Sequence, residues 1–359
     1  MFQPKQVLSL LGAVLVASLQ SRAAHAQGAQ GDYIARNVTF ASGETMPEVK
    51  LHYTTLGKPR QDASGIVRNA ILVLHGTGGT GRGFLSPTFT GELFGPGKLL
   101  DSSQYYIILP DNIGHGGSSK PSDGLRMKFP HYGYLDMVRL QHTLLTEGLG
   151  VEHLRLVMGT SMGCMHSWIW VERFGDFMDG ALPLACAPTQ IAGRNRMMRR
   201  MILDFIRDDP DWNNGNYTKP LKGMRAAEGM LFMMTSAPLV QQRQAPTREQ
   251  ADSVITRYIE TRAAATDPND MLYYFDASRD YDPSGHLAEI SAPVLAINSA
   301  DDLVNPPELG LMERLMPQVK RGKYILIPTS EKTRGHGTHS LPAIWGQYLK
   351  EFLDALPQR

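Results

Sequence analysis

Short, nearly continuous apolar runs recur along this chain and predict the strands of a buried sheet. Runs of this kind, without alternation, are typical of strands covered on both faces. They lie at Ala70 to Leu74, Tyr105 to Leu109, Leu154 to Met158, Ala181 to Ala185, Pro293 to Asn298 and Tyr324 to Ile327. Two earlier strands are predicted at Val38 to Phe40 and Val49 to Thr54. The second alternates apolar and polar positions, which indicates one exposed face.

Segments between these runs have apolar residues at helical spacing. Apolar positions three and four apart predict a helix from Asp136 to Glu147 and a closing amphipathic helix from Leu341 to Leu356. Strands that alternate with helices indicate an α/β protein with a mostly parallel central sheet flanked by helices. Residues 27–35 are small and polar, and we expect a mobile N-terminus there.

The strand-like runs stop after Pro188, and the pattern changes. The following segment is rich in arginine, aromatic residues and methionine, and methionine adapts to irregular apolar space. We interpret residues 189–285 as a helical cap inserted between two parts of the core, residues 27–188 and residues 286–359. Plain helical packing against the core is the alternative, and the methionines alone identify no ligand.

The first 26 residues have the pattern of a secretory signal peptide. Lys5 precedes an apolar run from Val7 to Leu19, and Ala24-His25-Ala26 provides an Ala-x-Ala cleavage site. An uncleaved anchor and a buried N-terminal helix are the alternatives. We expect cleavage, a secreted or periplasmic protein, and no membrane attachment afterwards.

Composition narrows the classes of partner. The 359 residues are 42% hydrophobic and 20% charged, with a formal net charge of +1, which gives no reason to expect a nucleic-acid partner. The oligomeric state, monomer or homodimer, stays open.

The two cysteines, Cys164 and Cys186, can pair in an exported protein, but we prefer two buried thiols.

The chain's chemistry centres on Gly159-Thr160-Ser161-Met162-Gly163, which follows a predicted strand and precedes an apolar helix. A Gly-x-Ser-x-Gly in this context predicts a nucleophile elbow, a sharp turn that exposes the Ser161 hydroxyl. An ordinary Gly/Ser turn is the alternative, unless other loops supply a base, an acid and an oxyanion hole.

Loops after the last two predicted strands offer the acid and the base. Ser161 needs a general base to lose its proton, and the base needs an acid that fixes its tautomer. The acid is Asp302, or Asp301 beside it. The base is His336, flanked by glycines, with His339 as the fallback.

The oxyanion hole requires two backbone N–H groups beside the nucleophile. Met162, directly after Ser161, supplies one, and Thr77 in the glycine-rich loop after Leu74 supplies the other. No Gly-Lys-Ser/Thr follows that loop and no metal-ligand spacing is found, so we expect no cofactor and no metal. His115 and His131 lie in loops near the same edge of the sheet, as substrate contacts or plain polar residues.

Several motifs resemble those of the homoserine O-acetyltransferase family within the α/β-hydrolase superfamily. They include Phe129-Pro130, Asp136-Met137-Val138-Arg139, the elbow with Cys164-Met165, Asp209 to Tyr217, Asp302-Leu303-Val304 and Gly335-His336. The resemblance implies an α/β-hydrolase fold with a helical cap. It also supports Ser161, Asp302 and His336 as the catalytic residues.

Two positions depart from the family pattern. Gly337 follows His336 where the family has an Asp that holds the homoserine amine, and His75-Gly76-Thr77-Gly78 replaces His-Ala-Leu-Thr-Gly. With the export signal, these departures favour water as the acyl acceptor. We therefore expect an exported serine enzyme that hydrolyses a small-molecule acyl ester or thioester. A homoserine O-acetyltransferase-like acyltransferase and a non-catalytic binding protein on a hydrolase scaffold are the alternatives.

Overall fold

The computed structural model describes residues 28–357. An eight-stranded sheet forms its centre, in the order β1-β2-β4-β3-β5-β6-β7-β8. The strands are β1 (Ala29–Thr39), β2 (Thr45–Leu56), β3 (Ala70–Leu74), β4 (Tyr106–Pro110), β5 (Leu156–Thr160), β6 (Ala181–Leu184), β7 (Val294–Ser299) and β8 (Gly322–Ile327). The pairs β1–β2 and β2–β4 are antiparallel, and all other neighbours are parallel. The predicted mostly parallel sheet is confirmed.

The expectation of a mobile segment at residues 27–35 is wrong from Ala29 onward. Strand β1 pairs with β2 from Ala29 opposite Thr55 to Thr39 opposite Thr45. Only Ala35 and Val38 of this strand are buried, so its sequence lacks the apolar run that marks the other strands. Backbone hydrogen bonds to β2 hold β1 in place, and the amino-acid composition of a segment does not reveal such bonds.

Helices cover both faces of the sheet. They are α1 (Pro87–Phe89), α2 (Tyr134–Thr143), α3 (Met162–Arg173), α4 (Gly193–Arg207), α5 (Lys222–Thr235), α6 (Pro238–Gln244), α7 (Arg248–Ala265), α8 (Pro268–Asp276), α9 (Leu311–Leu315) and α10 (Pro342–Ala355). Helix α2 continues into a π-helical turn, Leu144–Gly148. Helices α4 to α8 follow β6 without a strand between residues 189 and 285, in the segment interpreted as a cap.

The core has one layer on each face of the sheet. Strand β3 is fully buried, with Leu72 and Leu74 in the cluster that holds Trp168 of α3. Ile71 and Val73 point to the other face, in the cluster that holds Trp345 of α10. This double coverage explains the uninterrupted apolar run in β3.

The predicted signal peptide lies outside the described residues. Within residues 28–357, no helix is long and apolar enough to cross a membrane.

Candidate active site

Ser161 occupies the sharp turn between β5 and α3. Its φ of 55° and ψ of −110° put a non-glycine residue in a strained backbone conformation. A Cβ added at Gly159 would lie 2.0 Å from the carbonyl oxygen of Gly163, and one at Gly163 would lie 2.1 Å from that of Leu74. Strand and helix therefore pass too closely for any side chain at these two positions, as the elbow motif predicts.

Ser161, His336 and Asp302 form one chain of hydrogen bonds. Ser161 Oγ lies 2.8 Å from His336 Nε2, and His336 Nδ1 lies 2.8 Å from Asp302 Oδ2. An ionised carboxylate can only accept, so His336 Nδ1 carries the proton. His336 Nε2 is then left to accept the hydroxyl proton of Ser161.

Surrounding donors keep the Asp302 carboxylate charged. It is 1% exposed, and burial raises its pKa. The imidazole of His336 and hydrogen bonds from Asn305 and Val304 lower the pKa by more, so that it lies below its ordinary value. The Val304 N–H lies 2.7 Å from Oδ1, and Asn305 Nδ2 lies 3.1 Å from Oδ2.

Neither alternative residue joins this chain. Asp301 accepts from the Ser299 hydroxyl at 2.5 Å and from the Gly335 N–H at 2.9 Å, which anchors the loop that carries His336. The His339 ring lies 5.1 Å from the His336 ring, and its Nδ1 contacts Ser340 Oγ. Burial lowers the pKa of His339 to about 3, so its ring is neutral.

The two predicted oxyanion donors lie on either side of Ser161. Met162 is the first residue of α3, where a backbone N–H has no partner within the helix. Thr77 follows β3 and lines the same cavity as Ser161. A Cβ added at Gly76 would lie 3.3 Å from Ser161 Cβ, so the loop passes directly beside the serine. Their role as an oxyanion hole stays a prediction.

A buried polar network supports this loop, and the sequence did not identify it. His75 Nε2 accepts from the Asn112 backbone N–H at 3.1 Å, and Gln141 Nε2 bonds both Asn112 Oδ1, at 2.5 Å, and His166 Nδ1, at 3.1 Å. Trp170 Nε1 completes it by donating to Gln141 Oε1 at 2.7 Å. Two of its members carry a sequence signal: His75, next to the glycine-rich loop, and Gln141, two residues after the family motif Asp136-Met137-Val138-Arg139.

A cavity of about 430 Å³ opens beside Ser161. Its wall is largely apolar, with a few polar groups, which suits a small organic ligand. The apolar wall includes Phe84, Phe89, Leu231, Met234, Phe275 and Val304, and the polar groups include Arg199, Tyr258 and Arg262. Most of the cap methionines lie elsewhere: Met197, Met201 and Met233 are exposed.

His115 and His131 do not line this cavity. His115 is buried between the rings of His75 and Tyr274, with centroid distances of 4.9 Å and 5.0 Å. His131 lies at the surface, where its Nδ1 is 3.1 Å from Glu44 Oε2. These positions, away from the cavity that Ser161 borders, favour the interpretation of both as polar loop residues.

The preference for two free thiols is also wrong. Cys164 and Cys186 form a disulfide, with Cα atoms 5.9 Å apart. Cys164 lies in the first turn of α3, and Cys186 follows the end of the adjacent strand β6. Both were correctly placed in the interior, but their proximity depends on the parallel β5–β6 pairing, which the sequence does not specify.

No group of three or more His, Cys, Asp or Glu side chains within residues 28–357 could hold a metal ion. The arrangement that is present, a hydroxyl on an imidazole backed by a carboxylate, can perform acyl transfer through a covalent serine intermediate.

Comparison with known proteins assigns the chain to a class. The profile of the α/β-hydrolase fold matches residues 69–328, and the chain belongs to this family of enzymes. A probable acyltransferase of Methanothermobacter thermautotrophicus is 30% identical over 284 residues, which cover 78% of this chain and 86% of the relative.

Within the family, the similar proteins include both transferases and hydrolases. A homoserine O-acetyltransferase of Methanohalophilus mahii is 30% identical over 300 residues, 74% of this chain and 60% of the relative. The crystal structure of an acetylester hydrolase from Corynebacterium glutamicum superposes with a TM-score of 0.79 at 22% identity, over 92% of this chain and 97% of that one. The resemblance to the homoserine O-acetyltransferases is confirmed, whereas the acyl acceptor is left undecided.

Proposed function

We propose that this protein is an exported hydrolase that cleaves small-molecule acyl esters or thioesters through an acyl-serine intermediate. The observation that carries the proposal is the hydrogen-bonded chain from Ser161 through His336 to Asp302, beside an apolar cavity. His336 takes the hydroxyl proton while Ser161 attacks the acyl carbonyl. The backbone N–H groups of Thr77 and Met162 hold the oxyanion that forms.

His336 next protonates the leaving group, which departs and leaves the acyl group on Ser161. A water molecule, deprotonated by the same imidazole, then attacks the acyl-serine and releases the acid. Gly337 supports water as the acceptor, because glycine provides no charged side chain to hold the amine of an amino-acid acceptor.

Labelling with a fluorophosphonate tests whether Ser161 is the nucleophile. We expect one label per chain, lost in Ser161→Ala and retained in Ser167→Ala. Ser167 is a suitable control because it lies on α3, the helix that follows Ser161, but is buried, with its hydroxyl donating to the Gly163 carbonyl at 2.9 Å. A folded protein that never labels would favour the non-catalytic binding protein instead.

Transfer to homoserine is the second candidate function, because relatives similar over most of this chain include homoserine O-acetyltransferases. Incubation with an acetyl thioester or activated acetyl ester, with and without homoserine, separates the two. We expect acetate to form at the same rate in both. Faster formation of O-acetylhomoserine than of acetate would make the protein a transferase.

Export is supported by two independent features. The N-terminal pattern around Val7–Leu19 and Ala24–Ala26 fits a cleaved signal, and structural disulfides such as Cys164–Cys186 form mainly outside the cytosol. Expression of the full chain in a Gram-negative host tests this proposal. We expect a periplasmic product whose N-terminus is Gln27, and an intact cytosolic chain would exclude it.

A further inference from the structure

Arg199 is a buried cation in the wall of the active-site cavity. It lies on α4, is 3% exposed, and lines both the main cavity and a smaller pocket that also borders Ser161. Its helix is strongly basic, with five arginines and a single acid, Asp204. Such a charge distribution favours the binding of anions along this helix.

The guanidinium of Arg199 has only neutral partners. Its Nε donates to Asn195 Oδ1 at 3.0 Å, Nη1 lies 3.5 Å from Ser278 Oγ, and the Cζ atom lies 5.4 Å from the Phe275 ring centroid. Within residues 28–357, no carboxylate oxygen lies within 4.0 Å of it. Buried arginines are almost always paired, since burying an unpaired charge is costly.

Another buried arginine of the same molecule is paired with a carboxylate, as is usual. Arg155, mostly buried, has Nη1 3.0 Å from Asp179 Oδ2 and donates to the backbone carbonyls of Leu353 and Pro357. Arg199 has no carboxylate partner equivalent to Asp179, although burying its charge costs desolvation free energy just as burying Arg155 does. The missing partner therefore has to come from outside the chain.

Two hydroxyls close to Arg199 lack a well-formed hydrogen bond. Thr77 Oγ1 and the Tyr134 hydroxyl are buried without a hydrogen bond of normal geometry, although the Tyr134 hydroxyl lies close to both Thr77 and Arg199. Burial raises the pKa of Tyr134 and the adjacent Arg199 opposes this rise, so the tyrosine is a neutral donor. Thr77 and Arg199 line the cavity together, and Tyr134 interacts with both without lining it.

We propose that Arg199 and Thr77 form a carboxylate-binding subsite beside Ser161, so that the preferred esters carry a carboxylate on their acyl or alcohol part. This inference rests on the proposed function. A carboxylate matches the single positive charge of the guanidinium and its forked donors, and it accepts from a hydroxyl as well. One bound carboxylate thus provides partners for Arg199 and for the Thr77 hydroxyl.

Matched pairs of charged and neutral esters test the subsite. On the acyl side, the 4-nitrophenyl monoester of glutarate is compared with 4-nitrophenyl pentanoate. On the alcohol side, 4-acetoxybutanoate is compared with butyl acetate. We expect the wild-type kcat/KM to favour the charged ester at least about tenfold in one pair, which identifies the part that carries the carboxylate. Equal or lower values for the charged ester in both pairs would overturn the proposal.

Substitution then assigns the preference to Arg199. Arg199→Met should lower the charged-to-neutral ratio in that pair by about 10- to 100-fold, as expected for a lost charged hydrogen bond, and Arg199→Lys should lower it less. Arg200→Met is the matched control, because Arg200 is exposed and its Nε lies 2.7 Å from Asp204. An unchanged ratio in Arg199→Met, or an equal loss in Arg200→Met, would contradict the assignment.

A measurement on the unaltered protein covers the case in which Arg199→Met does not fold. Glutarate should slow fluorophosphonate labelling of wild-type Ser161 more than its neutral diamide, glutaramide, does, and added salt should weaken this protection. Equal protection by the two compounds would overturn the subsite. Failure of the proposed function is distinct, because the protein would then neither label nor hydrolyse the neutral esters.

Discussion

His336 Nδ1 and Asp302 Oδ2 lie 2.8 Å apart, and the carboxylate of this pair is almost completely shielded from solvent. The carboxylate fixes the proton on Nδ1 and offsets the charge that the ring gains when it accepts the Ser161 proton. Asp301, one residue earlier, bonds Ser299 and Gly335 instead. The adjacent acids thus occupy different environments, which gives each a distinct expected phenotype.

Asp302→Asn should lower kcat about 10³-fold or more, because an amide can neither hold the required tautomer nor balance the imidazolium. Asp301→Asn keeps an acceptor for Ser299 and should cost less than about tenfold. Steady-state hydrolysis of an activated ester by both variants is the measurement. A larger loss in Asp301→Asn would reassign the acid.

Asn305 connects the acid to strand β6. Its Nδ2 lies 3.1 Å from Asp302 Oδ2 and 3.0 Å from the carbonyl oxygen of Ala185. We predict that Asn305→Ala lowers kcat about tenfold with little change in KM, because the carboxylate loses one of its donors and part of its orientation.

Asn298→Ala is the matched control for this prediction. Asn298 Nδ2 donates to the Cys186 carbonyl at 3.1 Å, in the same loop region, but has no hydrogen bond to Asp302. If both variants lower the thermal stability and only Asn305→Ala lowers kcat, Asn305 positions the acid. Equal kcat values for Asn305→Ala and Asn298→Ala would mean that Asn305 has only a structural role.

The disulfide should contribute measurably to stability. It links positions 22 residues apart, and closing a loop of this size stabilises a folded protein by about 3 kcal/mol. We expect the Cys164→Ala/Cys186→Ala double variant to lose about that much unfolding free energy in urea. A reductant should lower the stability of the wild type and leave the double variant unchanged. A reductant-insensitive wild type, with the disulfide shown to be reduced, would contradict the prediction.

The sequence was most informative where function imposes a local pattern. The elbow, the acid loop and the base loop each combine a strand end with residues of recognisable chemistry, so Ser161, Asp302 and His336 could be selected without knowing their distances. Arg199 and Asn305 have no such local pattern. The role of Arg199 depends on the lack of a carboxylate partner. That of Asn305 depends on its Nδ2 reaching both the nearby Asp302 and the distant Ala185, and only the folded arrangement reveals either.

The same limit applies to the polar network behind the oxyanion loop. Asn112, Gln141 and His166 lie on separate elements. Gln141 belongs to a motif shared with the homoserine O-acetyltransferase family and His166 lies in an apolar helix, but the sequence does not show that their side chains meet. Only the end of strand β1, from Val38, is predicted by the sequence, because backbone pairing rather than apolar side chains fixes residues 29–37.

His166 should make folding stability sensitive to acid. It is fully buried, and this burial, aided by the nearby His75, lowers its pKa from 6.5 to about 3. Between these two values the unfolded chain binds a proton that the folded chain does not. The stability from this residue is therefore complete above about pH 6.5 and is lost as the pH falls, by up to about 1.4 kcal/mol per pH unit.

His166→Gln tests this prediction, because glutamine still offers an acceptor to Gln141 but cannot titrate. Urea unfolding of the wild type and the variant between pH 8 and about pH 5.5 gives the two stability curves. We expect the curves to converge as the pH falls, since only the wild type loses the contribution of His166. Other buried histidines, such as His75 and His115, remain in both proteins and contribute to both curves. Parallel curves would mean that position 166 is not the titrating group, because a substitution that merely disturbs packing shifts the whole curve without changing its slope.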